Sequence, residues 1–241
     1  MDIEGSPHYH RGMRKITGFQ IFVFLGMATV VCGFGVYAAI ELVNVFSVGA
    51  YGPLLTVFLS VLLIEAFAIG TYRIGLWINP LPEGTIEKGS RVECIYHMHL
   101  LFFLIFFHPV MRGAFLPLPL MRIFYQALGA KFGENSYSAG LVLDPLFVSF
   151  GNNTLVGEGA LLTPHIIENE QLAHFPIKVG SNVTVGTGAR ILAGVVIEDD
   201  ALISANAVVR KGEHIRQGEI WGGVPARKLG ERHASPLKAT S

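Results

Sequence analysis

A histidine in the second half of the chain stands where a regular sequence repeat is interrupted. His165 comes directly before the segment 166–176, which reads IIENEQLAHFP. An imidazole has an ordinary pKa of about 6.5, so it can accept and return a proton near neutral pH. Such a group could deprotonate a hydroxyl as the hydroxyl attacks a carbonyl carbon, and then protonate the leaving group. We therefore predict that His165 is a general base.

Three further ionisable residues near this break are candidates for the same site. Glu168 could orient the imidazole of His165 or bind a substrate. His174 could act in catalysis by lining the same cleft or contact a neighbouring subunit, and a solvated loop position is an open alternative. Asp144 takes a position that is apolar in most repeats, so it is either a buried, hydrogen-bonded carboxylate or a substrate-binding residue that faces the site.

The residues that must position these groups follow a sixfold pattern. The recurring positions are Phe132, Ser138, Asp144, Phe150, Val156, Leu162, Val179, Val185, Ile191, Ile197, Ile203 and Val209. An α-helix has a period of 3.6 residues and a strand a period of two, so neither explains the spacing. A sixfold period indicates a parallel β-helix, in which each hexad is one short strand and one turn. The segment 166–176 has no place in a regular coil, and we expect it to project as a loop.

Three stretches of this repeat resemble a known family. VGEGALLTPH, VGSNVTVGTGARILAGVVIEDDALISANAVV and WGGVPARKLG are similar to segments of hexapeptide-repeat acyltransferases, and the lead-in IFYQALGAKFGENS resembles that of membrane-attached sugar O-acetyltransferases. The resemblance covers about residues 129–230. It implies a left-handed parallel β-helix, a homotrimer, acetyl-CoA as donor and no metal. It also implies that His165 is the catalytic base, although Thr163-Pro164-His165 is one residue shorter than the usual string.

The end of the repeat offers a group of candidate ligands for the donor. The cationic residues there are Lys211, Arg216, Arg227 and Lys228. Their charges suit the phosphates of coenzyme A. Together with Gly194 and Trp221, the residues Lys211, Arg227 and Lys228 form the cofactor-binding set that the resemblance implies. Trp221 could instead cap the open end of the β-helix.

Composition predicts a second, membrane-embedded part of the chain. Hydrophobic residues make up 51% and charged residues 15%, with a mean hydropathy of +0.49 and a net charge of zero. A net charge of zero gives no indication of a nucleic-acid-binding protein, which would usually be basic. A polar, basic segment spans 1–17, and the long run 18–40 carries no charge. With a second apolar run at 49–77, the pattern predicts two transmembrane helices.

A third apolar segment is expected to lie at the membrane surface. The stretch 94–107 is too short to span, and Pro109, Pro117 and Pro119 should interrupt any longer helix. We therefore interpret 94–126 as interfacial or re-entrant helices, whose histidines are expected to be solvated or packed. The membrane region is 18–128, the β-helix 129–230 and a flexible tail 231–241.

The basic flanks predict the orientation. They place the N-terminus and the β-helix in the cytoplasm. We expect an integral protein of a bacterial inner membrane with its catalytic domain on the cytoplasmic side.

These features together favour one function and leave others open. The favoured one is transfer of an acetyl group from acetyl-CoA to a hydroxyl of a lipid-linked or membrane-associated glycan. A longer acyl chain or an amine acceptor is an alternative. Another alternative is a zinc-binding β-helix enzyme that hydrates carbon dioxide, with His165 and His174 as two of its ligands. A non-catalytic oligomeric scaffold is the remaining one.

Overall fold

A computed structural model describes residues 14–46, 49–113, 116–168 and 171–232 of the chain. Most of the predicted cytoplasmic segment 1–17 and of the predicted tail 231–241 therefore lies outside the described residues. The described chain consists of apolar helices followed by a parallel β-helix, with one antiparallel sheet between them.

The first two helices form an apolar hairpin. Helix α1 spans Gly18–Phe46 and α2 spans Gly52–Ile78, joined in part by a 3-10 turn at Gly49–Tyr51. The side of α1 that is buried against the other helices has residues spaced mostly four apart. Its buried residues are Phe24, Val31, Gly35, Ala39 and Val43. Helix α1 and the run Gly49–Ile78, which includes the 3-10 turn and α2, are long and apolar enough to cross a membrane. They contain the predicted spans 18–40 and 49–77.

Gly35 is the point of closest approach within this hairpin. A Cβ atom at this position would lie 2.5 Å from Cγ1 and 2.9 Å from the backbone nitrogen of Ile64. Small residues permit such close packing between apolar helices. The α1–α2 contact therefore depends on the missing side chain at Gly35.

The third apolar segment is longer and more regular than the sequence indicated. Helix α3 spans Arg91–Phe102, a π-helical turn spans Phe103–Phe107 and α4 spans His108–Arg112, all without interruption. The prediction that Pro109 interrupts this helix is wrong, because Pro109 occupies the first turn of α4 directly after the π-helical turn. The stretch 94–107 belongs to a longer helical run, 91–112, whose 22 residues are long and apolar enough to cross a membrane. Its position at the membrane surface stays a prediction.

The 91–112 helix nevertheless differs from the first two in its surroundings. Of its most apolar window, 44% is buried inside the protein, against 17% for α1 and 6% for 49–78. Its partners include Phe24 of α1, whose ring meets Phe102 edge-on at 5.4 Å. Helix α5 then spans Leu118–Ala127 and leads into the β-helix.

The β-helix is built from short strands that pair one coil above another. The strands are β2 Lys131–Phe132, β3 Tyr137–Ser138, β4 Leu141–Val142, β5 Val148–Phe150, β6 Leu155–Val156, β7 Leu161–Thr163, β10 Ile177–Val179, β11 Thr184–Val185, β12 Arg190–Leu192, β13 Val196–Ile197, β14 Leu202–Ile203, β15 Val208–Val209, β16 His214–Ile215, β17 Glu219–Gly223 and β18 Ala226–Glu231. They form three sheets in the orders β2-β5-β10-β13-β16, β3-β6-β11-β14-β17-β18 and β4-β7-β12-β15. All pairs are parallel except β17–β18.

The residues that pair between neighbouring coils show how many residues one coil contains and how many the interruption adds. Lys178 pairs with Val196, so a regular coil is three hexads long. Val148 pairs with Ile177, which lies farther along the chain than one regular coil would reach. The excess equals the length of the segment 166–176, so this segment stands outside the coil. The predicted parallel β-helix fits this arrangement, and its left-handed sense stays a prediction.

Asp144 does not occupy the interior position that the sixfold pattern assigned to it. Val142, not Asp144, pairs with the interior residue Leu162. Asp144 follows two residues later in a left-handed conformation with φ +42°, just before the 3-10 turn Pro145–Phe147. The first coil is therefore shorter on one side and longer at the following corner. That corner directs the Asp144 carboxylate out of the β-helix interior.

The interruption is not a loop, which corrects the expectation from sequence. His165–Glu168 forms β8 and Gln171–His174 forms β9, and the two pair as an antiparallel hairpin. Strand β1, Gly84–Ile86, pairs with the other edge of β9. Backbone groups that leave a coil need new hydrogen-bond partners, and the segment after α2 supplies them. The three-stranded sheet joins the helical part to the β-helix.

The chain is ordered slightly past the expected end of the domain. Glu231, assigned to the flexible tail, belongs to β18. Arg232 follows and donates through Nη1 to the carbonyl oxygens of Asn182 at 3.1 Å and Asp200 at 3.3 Å. The predicted tail is therefore wrong for these two residues, because β18 and Arg232 fold back over the coils.

Replacing Gly35 tests the α1–α2 contact. We expect Gly35→Ala to lower the melting temperature by several degrees, because overpacking a close contact costs about 1–3 kcal/mol. Gly33 has open space around it. Gly33→Ala should therefore melt at or above the wild-type temperature, since alanine is the better helix former. Circular dichroism of the detergent-solubilised protein measures both. A Gly35→Ala protein as stable as Gly33→Ala would contradict the close approach.

Candidate active site

The imidazole of His165 is paired with the Asp144 carboxylate. Nδ1 of His165 lies 2.5 Å from Oδ2 of Asp144. The side chain of His165 is 26% exposed, whereas that of Asp144 is 6% exposed. His165 begins β8 at the corner where the hairpin leaves the coil, and Asp144 stands at the same corner one coil earlier. The pair therefore places one imidazole edge on a buried carboxylate and leaves the ring partly open to solvent.

The second oxygen of Asp144 is bound by a residue of the helical part. Nε2 of His99, in α3, lies 2.9 Å from Oδ1 of Asp144. Nδ1 of His99 lies 3.0 Å from the hydroxyl of Tyr72, in α2. Four side chains thus form one hydrogen-bonded chain from α2 through α3 to the corner of the β-helix.

One assignment of donors and acceptors satisfies all three hydrogen bonds of this series. The Asp144 carboxylate can only accept, so each histidine donates the N–H that faces it. Neutral His99 then has a free lone pair on Nδ1, which accepts from the Tyr72 hydroxyl. Neutral His165 has its lone pair on Nε2. We assign these tautomers from the network, and they leave Nε2 of His165 as an acceptor for an incoming proton.

Burial and charge act in opposite directions on this pair. Burial would raise the pKa of Asp144, but hydrogen bonds from His165 and His99 and the histidine charges outweigh it and hold that pKa well below its usual range. Burial alone would lower the pKa of His165, but the hydrogen bond and charge of Asp144 outweigh it and raise the pKa above 6.5. His165 is therefore a stronger base than an isolated imidazole.

His174 is near His165 in the hairpin but in a different environment. The two residues pair across β8 and β9. His174 is fully buried, with its ring stacked on Phe147 at 4.5 Å, and neither ring nitrogen has a hydrogen-bond partner among the described residues. Burial lowers its pKa to about 4, and the charges of His99 and His165 act in the same direction while Asp144 opposes them. The solvated alternative is therefore wrong for His174, and its proton-transfer role stays a prediction.

Glu168 lies at the exposed end of β8, away from the imidazole. Its side chain is 60% exposed and forms an ion pair with Lys211. Asp144, and not Glu168, is the carboxylate that orients His165. A role for Glu168 in binding the acceptor stays a prediction. Contact of Asp144 with a substrate also stays a prediction, although both of its oxygens already accept hydrogen bonds.

The predicted cofactor-binding residues lie on separate parts of the β-helix. Gly194 occupies the corner one coil beyond His165, and its N–H donates to the carbonyl of Phe175 at 3.0 Å. Lys211 lies a further coil along that edge. Trp221 continues the interior column above Ile203 and packs on the core, as a cap would.

Arg227 and Lys228 belong to the terminal β17–β18 hairpin. Lys228 is paired with Glu219 at 3.0 Å and Glu231 at 2.6 Å, and Arg227 lies opposite Gly222. Lys211 is at a different corner from this pair, so the structure does not gather the predicted cations into one contact.

Sequence reasoning missed His99 and Tyr72. His99 was expected to be solvated or packed, like His97 and His108, because all three lie in one apolar segment. The signal that could have singled out His99 is its place among large apolar residues. A polar ring that is buried there needs a hydrogen-bond partner. Only the fold identifies that partner as Asp144, 45 residues away.

A metal site is a separate question for these residues. The described residues contain no group of three or more His, Cys, Asp or Glu side chains that could hold a metal ion. His165 offers one nitrogen, Nε2, while the nitrogens of His174 face the packed interior.

Comparison with known proteins supports the repeat. Residues 176–211 match the family described as bacterial transferase hexapeptide (six repeats). The resemblance to hexapeptide-repeat transferases is therefore confirmed. Gamma carbonic anhydrase 2, mitochondrial, of Arabidopsis thaliana is 34% identical over 186 residues, which cover 65% of this chain and 64% of that protein. Galactoside O-acetyltransferase of Escherichia coli K12 is 32% identical over 97 residues, which cover 37% of this chain and 47% of that protein.

A solved structure gives a partial match. A hexapeptide-repeat acetyltransferase of Vibrio cholerae O1 biovar eltor, complexed with acetyl coenzyme A, is 22% identical with a TM-score of 0.39. The match covers 43% of this chain and 60% of that one. The chain thus spans less than two thirds of the length of each of these relatives.

Removing the charge of Asp144 tests the electrostatics of the pair. In the wild type the imidazole of His165 becomes protonated as the pH falls through its pKa, which Asp144 raises above 6.5. Asp144→Asn keeps an acceptor for Nδ1–H but leaves burial unopposed, so the pKa should fall below 6.5. Diethyl pyrocarbonate modifies only neutral imidazole, and peptide mass spectrometry follows it at His165 across pH.

We expect the midpoint of this modification to move to lower pH in Asp144→Asn. His214 is an internal reference, because it lies at the other end of the β-helix beside Glu198. Its modification should be the same in both proteins. An unchanged or higher midpoint at His165 would show that Asp144 does not set its proton affinity.

Proposed function

We propose that the chain is an acetyl-CoA-dependent O-acetyltransferase whose acceptor is a hydroxyl of a lipid-linked or membrane-associated glycan. The observation that carries the proposal is the Asp144–His165 pair. It holds a partly exposed imidazole, with the raised proton affinity of a base, at a corner of the β-helix. The hexapeptide repeats and the similarity to galactoside O-acetyltransferase support acetyl transfer as the chemistry.

The proposed step uses His165 for both proton movements. Nε2 of His165 accepts the proton of the acceptor hydroxyl as its oxygen bonds to the thioester carbonyl carbon. The tetrahedral intermediate then collapses, the carbon–sulfur bond breaks, and His165 returns the proton to the departing thiolate. The products are the acetyl ester and coenzyme A. Asp144 keeps the ring oriented and stabilises the imidazolium that exists between the two transfers.

The donor is proposed to lie along the corner that carries His165, Gly194 and Lys211. A glycine at the middle position leaves room for a ligand close to the backbone. Lys211 is held by Glu168 in the free protein and could exchange this carboxylate for a phosphate of coenzyme A. Arg227 and Lys228 of the terminal hairpin would then belong to a neighbouring chain's site in the proposed homotrimer, with Trp221 as a cap.

The acceptor is proposed to arrive from the membrane side. His165 is joined to α3 and α2 through Asp144, His99 and Tyr72, so the base lies next to the apolar helices. A glycan attached to a lipid would present its hydroxyl at this junction. With α1 and α2 as spans, the basic flanks favour a cytoplasmic β-helix, where acetyl-CoA is available. The 91–112 helix is proposed to lie at the interface, which its greater burial supports.

Replacing the base tests the mechanism. We expect His165→Ala to reduce acetyl transfer by about 10²–10⁴-fold, the usual loss for a general base. The assay supplies acetyl-CoA and membrane vesicles from the expressing cells, and measures free coenzyme A together with acetyl esters by mass spectrometry. Acetyl-CoA binding by calorimetry and the assembly state by light scattering should be unchanged, because His165 lies at a corner and not in the core.

The matched control is Thr163→Ala, two residues earlier on β7. It removes a neighbouring hydroxyl with no proposed part in proton transfer and should keep most of the activity. Retention of more than about a tenth of the wild-type rate in His165→Ala, short of the expected loss, would show that the base is another residue.

A second candidate function is carbonic anhydrase activity, which the similarity to gamma carbonic anhydrase 2 favours. A histidine that donates Nδ1–H to a carboxylate can bind zinc through Nε2, so His165 would be one ligand of such a site. A tetrahedral site would need further ligands, one of them from a neighbouring chain. If acetyl transfer is the function, protein purified without chelators should carry far less than one zinc per chain by plasma mass spectrometry. Stoichiometric zinc that His165→Ala abolishes would favour the second candidate.

A further inference from the structure

We propose that His99 and Tyr72 are positioning residues for the His165 base, so that helices α2 and α3 take part in the active site. The proposal rests on the function assigned above to His165. Neither residue approaches the reacting atoms, and both act through the Asp144 carboxylate. The observation behind it is the unbroken series of contacts Tyr72–His99–Asp144–His165.

Burial makes the His99 contact consequential. The side chain of His99 is 1% exposed and that of Asp144 is 6% exposed, so water replaces neither partner easily. A buried carboxylate oxygen without a donor is costly, and a hydrogen bond to a charged group is stronger than one between neutral groups. Without the N–H of His99, half of the carboxylate would be unsatisfied.

Tyr72 fixes the way in which His99 presents that N–H. Neutral imidazole carries its proton on either nitrogen, and only the Nε2–H form donates to Asp144. The hydroxyl of Tyr72 faces Nδ1 at 3.0 Å and stabilises a lone pair there. The ring of Tyr72 also meets Phe107 edge-on at 5.1 Å, which holds it against the 91–112 helix. Tyr72 therefore selects the donating tautomer of His99.

These contacts predict a definite effect on proton uptake. When His165 is ready to act as a base, the Asp144–His165 pair has a net negative charge in a buried place. The N–H of His99 stabilises that charge, whereas uptake of a proton removes the charge. Loss of the N–H therefore favours the protonated pair, and the pair should take up its proton at higher pH. The other titratable groups around Asp144 are Tyr72, Tyr96 and His174, with Arg73 beside Tyr72.

The test measures the pH midpoint of His165 modification by diethyl pyrocarbonate, in full-length protein in detergent and without an acceptor. We expect His99→Leu to move the midpoint up by about one pH unit, which is a tenfold change in proton affinity. His99→Gln carries an amide N–H at a similar reach, so its midpoint should lie close to the wild-type value. Tyr72→Phe keeps the ring packing and should give a smaller upward shift.

The matched control is His97→Leu. His97 is a second buried histidine of α3, but its Nδ1 contacts Gln20 of α1 at 3.1 Å. The His97→Leu substitution should leave the midpoint of His165 modification at the wild-type value, even if it lowers the melting temperature of the protein. A purely structural role of His99 would lower stability in His99→Leu without moving the midpoint.

An unchanged midpoint in both His99→Leu and Tyr72→Phe would overturn the proposal. Should His99→Leu not fold, the comparison of Tyr72→Phe with the wild type decides alone, because phenylalanine preserves the packing. A shifted midpoint combined with no acetyl transfer by the wild-type protein would leave the Tyr72–His99–Asp144–His165 network standing and reject the proposed acetyl transfer instead. Full acetyl transfer by His165→Ala would reject His165 as the base. The two claims are therefore separable.

Discussion

The structure of this protein depends on one buried carboxylate. Asp144 leaves the β-helix at a corner and is bound from two sides, by His165 of the β8–β9 hairpin and by His99 of α3. Each contact satisfies an oxygen that would otherwise be costly to bury. The same two hydrogen bonds join the β-helix, the hairpin and the helical part, so the position of the proposed base and the docking of these parts are one constraint.

The hairpin explains how a regular repeat accommodates such a site. A parallel β-helix has little room for a side chain that is both oriented and accessible, because its interior is packed and its faces are flat. The inserted segment leaves the coil at the corner that carries His165, pairs with β1 and returns at Phe175, where the backbone contacts Pro164 and Gly194. His174 then fills the space beneath the hairpin against Phe147. The ring of His165 is held by Asp144 at its side.

The closeness of the proposed base to the apolar helices has a functional implication. The relatives with matching repeats include proteins named for quite different activities, so the repeat alone does not specify a substrate. In this chain His99 of α3 reaches the carboxylate behind the proposed base, and Tyr72 of α2 contacts His99. This junction is where an acceptor held by a lipid would meet an imidazole, and it is what the proposed function exploits.

The sequence alone determined the repeat and the apolar helices and selected His165 as the proposed base, because each is a local signal of period, length or interruption. Tertiary structure decided the rest. The sixfold count placed Asp144 inside the coil, whereas the pairing of Val142 with Leu162 moves it to the corner. Pairing with β1, encoded far upstream of β9, turned an expected loop into a sheet. His99 gained a partner 45 residues away, which no spacing rule encodes, since contacts between distant segments depend on how the whole chain packs.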